Sequence, residues 1–289
     1  MAIIIGVAAT KGGGTKTTTS LNLGGILADC NQRTLLMDAD PQGSLTKSVQ
    51  YRERAEHGLT QTLLSGSTAG CISHTTIQNL DIIENDDSDE ANSSITSFLR
   101  ESSANVLSLS DALEEIQDDY DYIVIDTQGC KGTQLHEAVV LASDRILTPI
   151  VPSALDAAEF DSGSLTMMNR LIPRGHRKLT ISGKPFPQWH ALISRTRHTN
   201  SNREIRDYIR QSLRQSVAEV TGGGIHFDVL ETAIPDKQVY MDCTKLCEPV
   251  HRLEKVSYTK TPSALTVMSE LMVELFPELV GKNPLLEDC

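Results

Sequence analysis

A glycine-rich loop near the amino terminus carries the residue types that bind phosphate. Residues 10–18 read TKGGGTKTT and lie between an apolar run and a segment with helical spacing. Glycines let backbone N–H groups converge on an anion, and the first turn of a helix adds unpaired donors and a positive dipole end. Lys16 supplies a mobile cation for phosphates, and Thr17 a hydroxyl ligand for Mg²⁺. We expect a nucleotide phosphate site, with a solvated glycine turn as the alternative.

Three aspartates stand at the carboxyl ends of two apolar runs. Asp38 and Asp40 end the run at 34–37, and Asp126 follows four apolar residues at 122–125. Ligands of parallel sheets bind beyond the carboxyl ends of the strands, so we expect these carboxylates beside the glycine loop. A buried carboxylate needs a cation, and Mg²⁺ through a bridging water suits Asp126. The alternative is that these aspartates only cap turns or the next helix.

The elements that would position these residues alternate between strand and helix. The first forty residues read as a β-α-β unit with parallel pairing of its two strands and a helix from about Thr17 to Asp29. Further strands are predicted at 120–129, 144–152, 189–195 and 227–235, and helices at 133–142, 203–220 and 263–276. We expect one α/β P-loop domain over 1–289, with a mostly parallel twisted sheet and helices on both faces.

The region between the two aspartate motifs is less regular. Helical patterns occur near 44–54 and 106–117, and 84–94 is a polar, acidic stretch that we predict to be a solvated loop. It belongs to a variable acidic region over 70–105. Residues 263–289 are predicted to form a carboxyl-terminal helix and tail.

Charge is distributed unevenly along the 289 residues, whose formal net charge is −12. Residues 81–121 hold thirteen acids and one base, whereas 170–214 hold eleven bases and two acids. Four arginines recur at three- and four-residue spacing, so one helix face could present them to DNA phosphates. A solvated basic face that pairs with the acidic segment is the alternative. These arginines are Arg203, Arg206, Arg210 and Arg214.

The chain contains no run of the roughly eighteen apolar residues that a membrane span requires, and its six cysteines are too sparse for a disulfide framework. We therefore expect a cytoplasmic protein with reduced thiols.

The loop and the aspartates together resemble those of the deviant Walker A ATPases, which include ParA/Soj partition proteins, MinD, ArsA and the nitrogenase iron protein. The family loop reads K-G-G-x-x-K-T, and residues 38–43 and 120–129 resemble its second and Walker B motifs. Thr15 departs from the glycine that most members have, which bears on nucleotide affinity or hydrolysis more than on the fold. Thr127 and Gln128 stand where partition ATPases often have two prolines.

The resemblance implies ATP and Mg²⁺ as cofactors, and the absence of an N-K-x-D segment, usual in guanine-selective proteins, favours ATP. It assigns Lys11 to the phosphates of a partner's nucleotide, Asp40 to the attacking water, and Asp38 and Asp126 to the water shell of the metal. Catalysis is assigned to Lys11, Lys16 and Asp40. The implied ATP contacts are Lys11, Gly12, Gly13, Gly14, Thr15, Lys16, Thr17 and Thr18, with Pro235 near the adenine.

The resemblance further implies a homodimer in the ATP state, nonspecific DNA binding, nucleoid association, and hydrolysis stimulated by a ParB-like centromere-binding protein. Such a protein segregates or maintains a plasmid or other mobile element. MinD-like membrane attachment is not expected, because residues 262–280 contain acids and no Lys or Arg. The alternatives are a positioning or transport ATPase that does not act on DNA, a cofactor-synthesis ligase, and a scaffold that binds nucleotide without hydrolysis.

Overall fold

The computed structural model describes residues 1–9, 15–86, 89–129, 133–152, 185–197, 204, 207–208, 210–215, 217 and 226–286. The strands are β1 (Ile3–Val7), β2 (Thr34–Ala39), β3 (Tyr51–Glu53), β4 (Ile72–Thr75), β5 (Leu80–Ile83), β6 (Tyr122–Thr127), β7 (Arg145–Ile150), β8 (Gln188–Thr196) and β9 (Phe227–Pro235). The helices are α1 (Lys16–Asp29), α2 (Leu59–Ser65), α3 (Asp89–Glu101), α4 (Ser108–Glu114), α5 (Gln134–Ala142), α6 (Val239–Leu246), α7 (Val250–Leu253) and α8 (Ala264–Leu275). The described residues between 204 and 217 are also helical, and we call them the arginine helix.

The strands of the described residues form one sheet in the order β3-β4-β5-β2-β6-β1-β7-β8-β9. In the part of this order that runs β5-β2-β6-β1-β7-β8-β9, neighbouring strands are parallel. Strand β4 is antiparallel to both β3 and β5. Every residue of β2 and β6 is buried, as expected for parallel strands covered on both faces. One face packs against α1 and α6–α8, and the other against α2–α5. The predicted α/β class, with a mostly parallel sheet and helices on both faces, is confirmed.

Helix α1 lies unusually close to its neighbours because two successive residues have no side chain. A Cβ at Gly24 would stand 2.5 Å from Leu36 Cδ2 in β2, and one at Gly25 would stand 2.3 Å from Pro249 Cγ. Contacts this short do not occur between real atoms, so both glycines are needed for α1 to pack against β2 and the start of α7. Helix α1 begins at Lys16, so this packing fixes the position of its first turn relative to the sheet.

Several predicted elements match the structure closely. Helix α1 begins one residue before the predicted start and ends at Asp29, and β9 covers the predicted 227–235. Helix α8 is capped by Ser263, whose side chain accepts a hydrogen bond from Thr266 N, and most of its residues are buried. The helix predicted from residue 263 onwards is therefore present, and it faces the core. In the described part of the chain, no helix is long and apolar enough to span a membrane.

Three local predictions were wrong. Strands β1 and β2 do not pair with each other, because β6 lies between them and pairs with both. The segment 44–54 is not a helix: it contains a short 3₁₀ turn and then β3, whose pairing with β4 outweighs the local pattern. The acidic stretch 84–94 is not wholly a loop, because α3 begins at Asp89 and buries Ile95 and Leu99 against the sheet. Strands β4 and β5 were not predicted.

The arginine helix packs its side chains against the edge strand β9. Arg210 Nη2 donates to the carbonyl oxygens of Leu230 and Glu231 at 2.9 and 2.8 Å, and Nη1 lies 2.9 Å from Glu231 Oε2. Its side chain is only 14% exposed, whereas that of Arg214 is 52% exposed and pairs with Asp228 at 2.8 Å. The expected free face of four arginines is therefore wrong for Arg210. Arg203 and Arg206 lie outside the described residues.

Arg210 should therefore contribute to stability. We expect Arg210→Ala to lower the free energy of unfolding by about 1–3 kcal/mol, because two carbonyls and a carboxylate lose a charged donor. Arg214→Ala is the matched control, with an expected loss below ~1 kcal/mol, because an exposed ion pair contributes little. Denaturant unfolding followed by circular dichroism measures both variants. Equal losses would show that Arg210 is no more than a surface charge.

Candidate functional site

The site begins where three neighbouring strands end. In the sheet β6 lies between β2 and β1, and Asp126 is in register with Asp38 on one side and with Val7 on the other. The chain leaves β1 towards the glycine loop and enters α1 at Lys16. The carboxyl ends of these strands and the amino terminus of α1 therefore meet at one place. Lys11, Gly12, Gly13 and Gly14 lie outside the described residues.

The first turn of α1 is compatible with the threonine that replaces the family's glycine. Thr15 has φ −97° and ψ −25°, which is right-handed backbone that any L residue adopts without strain. Its carbonyl oxygen accepts hydrogen bonds from Thr19 N at 2.9 Å and Thr19 Oγ1 at 2.6 Å. Thr15 therefore begins the helix without backbone strain. Lys16 follows it and is only 6% exposed.

Asp126 is fully buried and is held by two hydroxyls of α1. Thr17 Oγ1 donates to Oδ2 at 2.7 Å, and Ser20 Oγ donates to Oδ1 at 3.1 Å. Burial, together with the negative charge of Asp38, raises the pKa of Asp126 to about 8, although the Thr17 hydrogen bond and Lys16 act in the opposite direction. The carboxylate therefore requires a nearby cation in order to ionise at neutral pH.

Asp38 is equally buried, and the turn that follows β2 satisfies it. Thr46 donates to Oδ2 twice, from its backbone N at 2.7 Å and from its Oγ1 at 2.8 Å, and Asp40 N donates to Oδ1 at 3.2 Å. Burial raises the pKa of Asp38 to about 6 despite these bonds. Asp38 thus ties the turn to the strand end, next to Asp126.

Asp40 lies on the outer side of the same turn and is partly exposed. Its Oδ1 accepts a hydrogen bond from Gln42 N at 2.9 Å, and its carbonyl accepts one from Gly43 N at 2.8 Å. Gly43 has φ +60°, a left-handed conformation that glycine adopts at no steric cost. The turn therefore places one carboxylate, Asp40, towards solvent while Asp38 points inward.

A cavity of about 260 Å³ lies beside the first turn of α1. Thr15 and Thr18 form one wall, and Pro235 belongs to another, so the residue expected near the adenine does lie close to the phosphate loop. Asp236 in the same cavity accepts a hydrogen bond from Arg197 Nε at 2.7 Å. A contact between Pro235 and a nucleobase stays a prediction.

Three residues that we did not predict from the sequence help to hold the buried aspartates: Ser20, Thr46 and Asn85. Ser20 lies one helical turn after Lys16, on the side of α1 that faces Asp126, and this spacing could have revealed it. Thr46 and Asn85 could not have been found by spacing, because only the fold brings them to Asp38. Asn85 N donates to Thr46 Oγ1 at 3.0 Å and so orients the hydroxyl that bonds Asp38.

The donor set suits Mg²⁺. This ion prefers hard oxygen ligands, keeps several waters and is usually bound through one or two carboxylates together with substrate phosphates. Asp126 and Asp38 are adjacent buried carboxylates whose pKa values are raised mainly by burial, and Thr17 adds a hydroxyl oxygen. The residues present therefore fit a magnesium ion at the start of α1.

Comparisons with known proteins agree with this arrangement. A model of the AAA domain family matches residues 2–172. The virulence plasmid ParA family protein pGP5-D of Chlamydia psittaci is 36% identical over 144 residues, which is 49% of this chain and 54% of that protein. The sporulation initiation inhibitor protein Soj of Bacillus subtilis is 34% identical over 152 residues, 52% and 58% of the two chains. The chain thus spans little more than half the length of these relatives.

Among solved structures, the septum site-determining protein MinD of Pyrococcus horikoshii, complexed with Mg-ADP, superposes with a TM-score of 0.67 at 16% identity. The match covers 98% of this chain and 100% of that one. At this identity the likeness establishes the fold.

Asp126 should destabilise the protein in the absence of nucleotide and metal. Its pKa of about 8 in the folded state lies above the ordinary 3.8, so the folded state binds more protons and loses stability as pH rises from about 4 to 8. We expect Asp126→Asn to raise the melting temperature, with a gain in the free energy of unfolding that increases over this pH range and exceeds ~1.4 kcal/mol, the equivalent of one pKa unit. Thermal unfolding at several pH values, without Mg²⁺ or nucleotide, measures it. A gain independent of pH contradicts the assignment.

Proposed function

The chain belongs to the ParA/Soj/MinD family of P-loop ATPases, and on that basis we propose that it hydrolyses ATP to segregate or maintain a plasmid or other mobile DNA element. The observation that carries the proposal is the pair of adjacent buried carboxylates, Asp38 and Asp126, at the start of α1. Burial of two like charges is unfavourable unless a cation compensates them, and Mg²⁺ bound with a nucleotide supplies that compensation.

Each side chain has a distinct part in the proposed reaction. Lys16 would bind the β and γ phosphates, Thr17 would ligate Mg²⁺ through its hydroxyl, and Asp38 and Asp126 would hold the water shell of the metal. When bound, Mg²⁺ neutralises the charge that develops on the transferred phosphoryl group. Asp40 orients the attacking water from the outer side of the turn. The Asp38 hydrogen bonds to Thr46 and Asp40 N fix that turn, and so fix where the Asp40 carboxylate stands.

The proposed partners follow from the family. We infer a homodimer in the ATP state, with Lys11 reaching the partner's nucleotide, together with nonspecific DNA binding and nucleoid association in the cytoplasm. A ParB-like centromere-binding protein stimulates hydrolysis. The buried, acidic helix α8 supports this function over a membrane-attached one, because it offers neither a free apolar face nor basic residues to anionic lipid.

Lys16→Ala should abolish ATP binding. Without this cation only backbone dipoles oppose the phosphate charge, so we expect the affinity to fall beyond detection. Titration with a fluorescent ATP analogue in the presence of Mg²⁺ measures the change. Lys282→Ala, which removes an exposed lysine far along the chain, is the control. Unchanged affinity in Lys16→Ala would remove this residue from the site.

Asp40→Ala should bind ATP and dimerise but hydrolyse it at least about a hundredfold more slowly, because the attacking water loses its carboxylate. Asp40→Asn separates this role from the structural one: its amide oxygen still accepts the hydrogen bond from Gln42 N and keeps the turn. We expect both variants to be equally slow in a phosphate-release assay. If Asp40→Asn turns over normally, Asp40 acts only as a turn residue.

A further inference from the structure

A loop between α7 and α8 is an exposed basic feature of the described chain, outside the regions discussed above. Residues 255–262 read KVSYTKTP, and we call them the lysine loop. Tyr258 is 98% exposed and Val256 is 64% exposed, and Lys255 and Lys260 are exposed as well. The loop contains no acid. Such exposure of a tyrosine between two lysines indicates a contact surface.

The ends of the loop are firmly anchored. Lys237 Nζ donates to Glu254 Oε2 at 2.6 Å and to the Pro262 carbonyl at 3.0 Å, so a single ammonium joins both ends. Glu254 also accepts from the first residues of α8, with its Oε2 bound to Ala264 N at 2.9 Å and its carbonyl to Leu265 N at 3.0 Å. The loop therefore projects from a rigid base.

The two lysines of the lysine loop can bind an anion directly, in contrast to the described arginines of the arginine helix, which form ion pairs. Glu254, the nearest acid in sequence, is neutralised by Lys237. Among the described residues neither Lys255 nor Lys260 forms an ion pair, whereas Arg210 and Arg214 pair with Glu231 and Asp228. A phosphate can bind the two lysines without first displacing a carboxylate.

We propose that the lysine loop is the surface that contacts the DNA backbone, an inference that rests on the DNA-binding part of the proposed function. DNA phosphates are bound mainly by Lys, Arg, Ser, Thr and Tyr side chains and by backbone N–H groups. Apart from Val256 and Pro262, every residue of the loop is of one of these types. The two lysines bind phosphates, and the exposed Tyr258 hydroxyl donates to a neighbouring phosphate oxygen. The Ser257 and Thr259 hydroxyls lie 3.1 Å apart and bond to each other, so they shape the loop.

The composition favours DNA over a lipid surface. Insertion into a membrane interface depends on buried apolar area in addition to basic charge. The loop offers two apolar side chains, Val256 and Pro262, and one tyrosine, and the other five residues are lysine, serine or threonine. The binding it provides is accordingly electrostatic and independent of base sequence.

The test compares Lys255→Ala/Lys260→Ala with the wild type and with Arg214→Ala, using fluorescence anisotropy of a labelled mixed-sequence DNA duplex with ADP, ATP or a nonhydrolysable ATP analogue. We expect the double variant to bind about tenfold more weakly at physiological salt. Its slope of log K against log salt should be shallower by about 2 per protomer, because each neutralised phosphate contributes about −0.9. Arg214→Ala should bind as the wild type does, and Lys255→Arg/Lys260→Arg should restore both affinity and slope. Melting temperature and ATP affinity should stay unchanged in both lysine variants, because the two lysines are exposed and form no ion pair among the described residues.

The outcomes separate the inference from the function on which it rests. If the wild type binds DNA in the ATP state and the double alanine variant binds equally well, the lysine loop is not the DNA surface. If the wild type binds no DNA in any nucleotide state at low salt, the DNA-binding function itself is wrong. If the loop lysines instead control binding to phosphatidylglycerol vesicles and not to DNA, its partner is a membrane and the inference is overturned.

Discussion

Two carboxylates at paired positions on adjacent parallel strands constrain this structure. Asp38 and Asp126 face each other in register between β2 and β6, and both are inaccessible to solvent. Neighbouring strands lie about 4.8 Å apart, so water cannot screen one charge from the other. The fold tolerates this pair because the ends of both strands open onto a helix amino terminus, where a divalent cation and phosphates can balance the charge.

The surrounding elements place hydrogen-bond donors beside these two carboxylates. Gly24 and Gly25 bring α1 close enough to β2 and α7 for its first turn to stand above β6, and that turn contributes Thr17 and Ser20 to Asp126. On the other side the turn after β2 folds back so that Thr46 reaches Asp38. Both oxygens of Asp126 and both oxygens of Asp38 therefore accept at least one hydrogen bond. An ionised carboxylate has about four lone-pair sites, so each of the two keeps at least one lone pair that none of these donors uses.

The sequence predicts the parts of this protein in which local pattern and tertiary packing agree. Buried strands such as β6 read as apolar runs, and the glycine loop, Asp38, Asp40 and Asp126 are recognisable from residue type and position. Strand order could not be predicted, because nothing local shows that β6 comes between β1 and β2. Helix α3 was missed because its first turn is acidic and its core-facing residues, Ile95, Phe98 and Leu99, come only further along. The hydrogen bonds of Arg210 to β9 could not be predicted either, because their acceptors are backbone carbonyls, which every residue has.

Strand β9 stands at one end of the described sheet, and sheet edges are where unrelated chains join by strand pairing. Ala191 and Ile193 of β8 pair with Val229 and Ala233 of β9. Strand β9 therefore has two more residues than β8 in this interval, and they form a bulge. Glu274 of α8 accepts hydrogen bonds from the Glu231 and Thr232 amides at 2.6 and 2.9 Å, while Arg210 occupies the Leu230 and Glu231 carbonyls. These amide and carbonyl groups of the bulge already have hydrogen-bond partners, so they cannot pair with an incoming strand. This edge is consequently protected against pairing with a strand of another chain, which is the contact through which exposed sheet edges aggregate.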